Sequence, residues 1–278
     1  MKMLCRLMGV SCSGFYGYLR RRERVPDGDR QERVEWTRKL AMGADHTYGT
    51  RRIAKGLSAL GYPTGRHQAR GLMREAGVQA RYRRRYRVTT NSRHRQPVHP
   101  NRLAREFQVS APNRVWVGDI TYVWTQEGWL YLAVVIDLFS RKVVGWSMGR
   151  RLKASLACDA LQMGLWSRRP AKEGQLIHHS DRGVQYASRS FRQLLETNNI
   201  KGSMSRKGDC WDNAVVESFF GSLKSERIHW RHYQSREVAR ADIVEYITMF
   251  YNPRRLHSYL GYQSPDEFEK NGRLANMA

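Results

Sequence analysis

The sequence predicts an α/β protein in which a small all-α domain of the helix-turn-helix type precedes a mixed five-stranded sheet with flanking helices. Before residue 80, apolar residues recur at helical spacing between glycine-containing turns. From Val115 onward the chain changes to short runs rich in β-branched and aromatic residues. Three such runs come first, and helical and strand patterns then alternate. The resulting order is βββαβαβα, which is typical of a mixed sheet covered by helices.

We expect residues 1–80 to form a helical DNA-binding region, whose helix-turn-helix-like part at about residues 30–78 contains apolar residues at helical spacing. They are Trp36, Leu40, Ile53, Leu57 and Leu60. The last predicted helix runs from about Arg66 to Ala76 and ends at Gly77, a residue that commonly terminates helices. Short helices in a basic sequence indicate a DNA-binding helix-turn-helix-like module, and we expect Arg51 and Arg52 to contact DNA. A plain helical bundle is the alternative.

Residues 81–95 contain seven arginines with two interleaved tyrosines and no apolar face. This composition predicts a basic linker, extending over residues 81–110, rather than a packed element. Arginine clusters bind phosphates and tyrosines can stack on bases, so we expect DNA contacts from this segment. The predicted contact residues are Arg83, Arg84, Arg85 and Arg87. A solvated run of charge is the alternative.

The predicted strands of the second region cover residues 115–124, 129–138, 142–148, 175–179 and 200–204. Predicted helices cover residues 155–166, 188–198 and 213–227. A further helix, residues 238–251, ends at Asn252-Pro253. In this strand order the first strand is central and the fourth lies beside it. We therefore divide the region into a core of residues 111–230 and a helical extension of residues 231–278.

The net charge of the 278-residue chain is +24, and it is uneven. The first 100 residues hold 23 Lys and Arg against 7 Asp and Glu, and the remaining 178 hold 26 against 18. Such an excess favours a polyanionic partner, and nucleic acid is the obvious one. The most apolar run, residues 130–139, is too short to span a bilayer. Four cysteines without C-x-x-C spacing fit a reducing cytoplasm and no structural zinc site.

Three acidic residues occupy positions where the predicted topology makes them converge. Asp119 lies inside the first strand beside Gly118, although aspartate disfavours strand interiors. Asp181 follows the fourth strand, and Glu217 lies one turn into the last long helix. Each has an ordinary structural interpretation when taken alone: a salt bridge, a turn and a helix surface. Together they offer the hard oxygen ligands that magnesium prefers.

Lys224 lies seven residues after Glu217 and therefore shares its helix face. A lysine there can hold a DNA phosphate beside the carboxylates, so we count it among the DNA contacts. Asp137, at the end of the second strand, is a competing acid, and we expect it to cap the following turn instead.

The acid-bearing motifs closely resemble those of the DDE transposases of bacterial insertion sequences, in particular the second-reading-frame product of the insertion-sequence-three family. The matching segments are residues 116–122, 136–146, 179–186 and 212–220, with a C-terminal signature at 251–262. Segments 48–53 and 72–77 resemble the N-terminal helical module of that family. The resemblance covers nearly the whole chain.

The resemblance implies an RNase H-like catalytic core, related to that of retroviral integrases, and catalysis with two Mg²⁺ ions, for which Mn²⁺ can substitute. Asp119, Asp181 and Glu217 would be the metal ligands and catalytic residues. In such enzymes water attacks the phosphodiester at the transposon end, and the freed 3′-hydroxyl attacks a second phosphodiester. The implied partners are double-stranded DNA, both transposon ends and target, an upstream-frame helix-turn-helix protein and further copies of the chain. The implied location is the bacterial cytoplasm, in association with the nucleoid.

Two other functions remain open at this point. An RNase H-like nuclease that only hydrolyses DNA would carry the same acids. A catalytically inactive DNA-binding remnant would keep the charge pattern but would not cleave.

Overall fold

The computed structural model describes residues 1–23, 28–81, 97–103, 108–170, 176–206 and 213–275. Within them the chain forms two compact units, Met1–Ala80 and Arg81–Ala278. The predicted DNA contacts Arg83, Arg84, Arg85 and Arg87 lie outside the described residues. No helix in the described part of the chain is both long and apolar enough to cross a bilayer.

The first unit is entirely helical. Its helices are α1 (Lys2–Leu7), α2 (Cys12–Glu23), α3 (Gly28–Gly43), α4 (Thr50–Ala59) and α5 (Arg66–Glu75). Ile53 and Leu57 of α4 are fully buried, and the Leu40 side chain of α3 lies against Gly56 of α4 so closely that a Cβ there would be 3.0 Å away. The predicted stop at Gly77 is confirmed, because this residue has φ +66°. No individual helix was predicted before residue 30, so α1 and α2 were not predicted as separate elements.

The second unit contains a five-stranded sheet whose strand order is β3-β2-β1-β4-β5. The strands are β1 (Val115–Thr125), β2 (Gly128–Asp137), β3 (Val143–Gly149), β4 (Ile177–Ser180) and β5 (Lys201–Met204). The first three strands form the predicted antiparallel meander. β4 is parallel to both β1 and β5. The predicted central position of the first strand, with the fourth beside it, is therefore confirmed.

Helices cover both faces of this sheet. They are α6 (Ala154–Arg168), α7 (Arg189–Thr197), α8 (Ala214–Glu226), α9 (Arg236–Glu245) and α10 (Pro265–Ala275). A π-helical turn, Tyr246–Tyr251, continues α9. One buried apolar cluster joins the sheet to α6 and α7, and the other joins it to α8, α9 and the π-helical turn. The C-terminal extension thus shares a hydrophobic core with the strands.

Alternation along β1 assigns its side chains to these two clusters. Val115, Val117 and Val123 belong to the α8 cluster, whereas Trp116 belongs to the α6 cluster. Asp119 has the same parity as the valines, so β1 places it on the face that α8 covers.

Candidate active site

Asp119 lies in the middle of the central strand β1 and is half-buried. Its Oδ1 atom accepts a hydrogen bond of 2.7 Å from the backbone N–H of Ile120. A carboxylate in this position has lost much of its hydration but has gained little compensation from neighbouring donors.

Asp181 follows β4 directly, and strand register brings it beside Asp119. The parallel pairing of Gly118 with Ser180 places the next residue of each chain segment side by side, and adjacent strands are about 4.8 Å apart. Asp181 Oδ1 accepts a hydrogen bond of 2.9 Å from the Gly183 N–H, which fixes the turn. A Cβ on Gly183 would come within 2.9 Å of that oxygen, so a side chain there would displace the Asp181 carboxylate.

Glu217 is in the first turn of α8, where the helix dipole favours a negative charge. The apolar side of α8, which includes Val216, Phe219 and Leu223, is buried against the sheet. Glu217 itself remains half-buried at the edge of this contact. The predicted helix of residues 213–227 is confirmed, because α8 begins at Ala214 and ends at Glu226.

The electrostatics shows that these acids act on one another. Burial raises the pKa of Asp119 well above its ordinary value, and the negative charges of Asp181 and Glu217 raise it further. Burial also raises the pKa of Glu217, and Asp181 adds to the rise. The Ile120 N–H and Lys224 favour the ionised form of Asp119 but do not cancel these effects. The fold therefore holds the three carboxylates in one field of surplus negative charge.

This donor set fits a hard divalent cation in its chemistry, because all three groups are carboxylates and their mutual repulsion is what a cation relieves. The protein side chains alone do not surround a metal ion. In the part of the chain that the structure describes, no three His, Cys, Asp or Glu side chains are grouped tightly enough to hold a metal ion. Such an open arrangement is compatible with a site completed by water and substrate phosphate.

Lys224 is the cation of this site. Burial lowers its pKa, and Asp119 partly opposes that shift. Its Nζ atom lies 5.1 Å from the centroid of the Tyr122 ring, a cation–π distance. The lysine predicted from helix spacing thus lies near Asp119 as well as on the Glu217 face.

Two further residues support β1 at this point, and neither is among the predicted site residues. His178 of β4 is fully buried, and its Nε2 atom lies where it would be 2.8 Å from a Cβ on Gly118. Asn213 donates from Nδ2 to the Gly118 carbonyl oxygen over 3.4 Å. A glycine inside a strand indicates that another group packs closely against the backbone there. At Gly118 that group is the His178 ring. The His178 ring also packs against the rings of Tyr186 and Phe191.

Asp137 is not part of this site. Its Oδ1 atom accepts a hydrogen bond from the Phe139 N–H at 2.9 Å, and its Oδ2 atom accepts one from Asn113 N–H at 2.7 Å. Its backbone carbonyl also accepts a hydrogen bond from Arg141. The expectation that Asp137 caps the turn after β2 is confirmed.

The strand tryptophans are not all in the core. Their place in apolar strand sequence predicts core positions for Trp116, Trp124, Trp129 and Trp146, and Trp116 is indeed fully buried. Trp124 and Trp129, however, are 59% and 43% exposed. They face each other across the β1–β2 hairpin on the side that does not carry Asp119.

In the first unit, the predicted DNA contacts Arg51 and Arg52 lie in the first turn of α4. Arg51 is exposed, whereas Arg52 is half-buried and lies over the Tyr48 ring at 5.4 Å. The sequence analysis did not single out the exposed basic residues Arg66 and Arg70 of α5. The available signal was their place on the second helix of a helix-turn-helix pair, the one that enters the major groove in such modules.

Comparison with protein families gives three matches along the chain. Residues 109–210 and residues 217–272 each match a family described as Integrase core domain. Residues 29–86 match a family described as HTH-like domain.

Individual relatives match over almost the whole length. The chain is 45% identical over 278 residues to the transposase InsF for insertion sequence IS3A of Escherichia coli K12, covering 99% of this chain and 95% of the relative. It is 44% identical over 276 residues to a 31 kDa protein of insertion element IS600 from Shigella sonnei, covering 98% and 100%. Among solved structures, an intasome of simian T-cell lymphotropic virus aligns with TM-score 0.50 at 18% identity, covering 84% of this chain and 74% of the other.

Proposed function

The chain belongs to the transposases of the IS3 insertion-sequence family, and from that premise we propose that Asp119, Asp181 and Glu217 are its catalytic residues. The observation that supports the proposal is the mutual proximity of these three acids, which are distant in sequence: Asp181 and Glu217 raise the pKa of Asp119, and Asp181 raises that of Glu217. The proposed reaction is cleavage at the transposon end followed by strand transfer, each by in-line displacement at phosphorus.

The three carboxylates would hold two Mg²⁺ ions, with Mn²⁺ as a substitute. When bound, such ions stabilise the charge that develops on the attacking and leaving oxygens. The side chains themselves supply orientation: the Asp181 turn is fixed by the Gly183 N–H, and Asp119 is fixed within the central strand. Lys224 is placed to bind a DNA phosphate next to these groups.

The proposed division of labour follows the chain. Residues 1–80 bind transposon-end DNA, with contacts from Arg51, Arg52 and α5. Residues 81–110 would serve as a basic linker that contributes arginine contacts to DNA, and Leu103 near its end packs in the apolar cluster of the sheet. Residues 111–230 form the catalytic core, and residues 231–278 form a helical extension. We also propose that the protein works in the bacterial cytoplasm on nucleoid DNA, as an oligomer assembled on the ends. The helix-turn-helix product of an upstream frame would be its partner.

The decisive experiment is an assay of divalent-metal-dependent cleavage and joining with the element's own terminal repeats. We expect wild-type protein to nick the ends with Mg²⁺ or Mn²⁺ and to join pre-cut ends to target DNA. Asp119→Asn should abolish both reactions while binding to the ends persists. Asp159→Asn, an exposed acid on α6, is the matched control and should retain activity.

Two outcomes would replace the proposal. Cleavage without joining of pre-cut ends would favour a nuclease that only hydrolyses. Binding without any metal-dependent reaction would favour an inactive remnant.

A further inference from the structure

An exposed group of aromatic rings lies at the tip of the β1–β2 hairpin. Trp124 and Trp129 are opposite each other in the strand register, with ring centroids 4.8 Å apart and planes at 73°. Tyr122 meets Trp129 edge to face, with centroids 4.9 Å apart. Such pairs stabilise a hairpin modestly, but about half of each indole remains in water. We call these three residues the aromatic platform.

The platform is held in place from outside the hairpin. Arg236, the first residue of α9, donates from Nε to the Trp129 carbonyl oxygen over 3.0 Å. The Gln126 N–H donates to the Tyr233 carbonyl oxygen over 3.0 Å. Because the hairpin tip is fixed before any ligand arrives, little ordering entropy is lost when a flat group stacks on it.

Lys224 connects the platform with the catalytic acids. Its Nζ atom is over the Tyr122 ring at 5.1 Å, and its charge acts on Asp119. β4 pairs with Val115–Gly118 of β1, and among the described residues no strand pairs with β1 on that side from Asp119 to its end. The lysine can thus approach Tyr122 along this open strand edge. Five residues separate Asp119 from Trp124, which is about 17 Å along a strand.

The surroundings of the platform carry more basic than acidic side chains. A cleft of about 560 Å³ beside the hairpin is lined by Glu127, Arg150, Arg236, Glu237 and Arg240. Within the described residues, Arg150 and Arg240 have no ion-pair partner. Exposed rings flanked by unpaired arginines and a lysine match single-stranded nucleic acid, in which bases stack while cations contact the backbone.

We propose that the aromatic platform stacks unpaired bases of the DNA strand whose backbone is held at Lys224 and the catalytic acids. The platform would then stabilise a transposon end opened by a few base pairs. This inference rests on the proposed function for the identity of the DNA, but it concerns base stacking and requires no cleavage. The alternative occupant is a second copy of the chain, bound through the same rings.

The test compares binding to two forms of the terminal repeat, one fully paired and one whose outermost base pairs are replaced by unpaired nucleotides. We expect wild-type protein to prefer the splayed form. Trp124→Ala and Trp129→Ala should each weaken splayed-end binding about five- to hundredfold, from the usual strength of base–aromatic stacking, while changing paired-end binding little. Trp124→Phe should retain most of the preference.

Trp166→Ala is the matched control, because this indole is 71% exposed on α6 and away from the hairpin. It should leave the preference unchanged. Replacing the unpaired bases one at a time with abasic sites should weaken wild-type binding at one or two positions and have no effect there on Trp124→Ala.

An unchanged splayed-end preference in both alanine variants would overturn the inference. So would loss of self-association, measured by sedimentation, with unchanged affinity for splayed DNA. The experiments distinguish failure of the platform proposal from failure of the proposed function. Metal-dependent cleavage by wild-type protein without any tryptophan dependence rejects only the platform, and tryptophan-dependent binding without cleavage rejects only the transposase activity.

Discussion

Replacing Asp119 with asparagine should stabilise the metal-free protein while abolishing its activity. Asp119 and Asp181 each directly follow the last paired residues of β1 and β4, so we take a separation of about 5 Å from the general spacing of adjacent strands. At that distance two unit charges repel by about 3 kcal/mol at an effective dielectric constant of 20, and by about 0.8 kcal/mol in water. Asp119 is half-buried and Lys224 offsets part of the repulsion. We therefore expect a gain of about 1–2 kcal/mol in the free energy of unfolding.

The gain should depend on pH with a defined sign. Because the folded protein raises the pKa of Asp119 above its ordinary value of 3.8, the stability that the wild-type residue provides is complete below that value. It is lost as the pH rises through the folded-state pKa. The difference between Asp119→Asn and wild type should thus be small at pH 4 or below and widen towards neutrality.

Urea denaturation of both proteins from acidic to neutral pH measures this difference, with and without Mg²⁺. The cation should stabilise wild type more than Asp119→Asn, since a bound ligand stabilises the state that holds it. Asp159→Asn serves as control and should show neither effect. If Asp119→Asn is no more stable than wild type at neutral pH, or if Mg²⁺ protects both equally, the carboxylates do not form the site we describe.

Three other substitutions test the surroundings of the site. Lys224→Ala should weaken DNA binding and reduce the slope of log affinity against log salt by about one, whereas Lys224→Arg keeps the slope; salt titrations of binding check this. Gly118→Ala forces a Cβ against His178 and should cost about 1–3 kcal/mol, which His178→Ala in the same protein should partly restore in denaturation experiments. Arg255→Met leaves Glu226 buried without its bidentate partner and should cost about 3–5 kcal/mol, with partial recovery when Glu226→Gln is added.

The positions of Asp119 and Asp181, two of the proposed catalytic acids, were predictable because they depend on sheet topology. Runs of β-branched residues identified the strands, and the strand order followed from the pattern of connections. Once β1 was central and β4 beside it, Asp119 and Asp181 had to be neighbours. Local sequence signals were therefore sufficient for the part of the site that backbone register determines.

The burial of individual side chains was less predictable, because it depends on which parts of the sheet the helices cover. Trp124 and Trp129 have the sequence pattern of core residues, and their exposure depends on how far the packed helices extend over the hairpin. By contrast, the start of helix α10, which lies within the predicted helical extension but was not predicted individually, has a recognisable sequence pattern. Ser264 and Glu267 exchange hydrogen bonds around Pro265, the first residue of the helix, which is the capping-box arrangement.

The C-terminal signature, residues 251–262, connects α8 to the sheet, although it is distant in sequence from the three acids. Arg255 donates two hydrogen bonds to Glu226 at the end of α8, and Tyr246 donates a third from its hydroxyl group. Asn252 pairs through its side-chain amide with both backbone groups of Val143 in β3.

These contacts fix the far end of the helix that carries Glu217 relative to the sheet that carries Asp119. Glu217 and Glu226 are nine residues apart, about 13.5 Å along the helix, so a small change in the tilt of α8 at its anchored end would displace the carboxylate at the other end. Arg255 is fully engaged inside the protein and is not available to bind DNA. The contacts of the C-terminal signature thus hold α8 in a fixed orientation relative to the sheet.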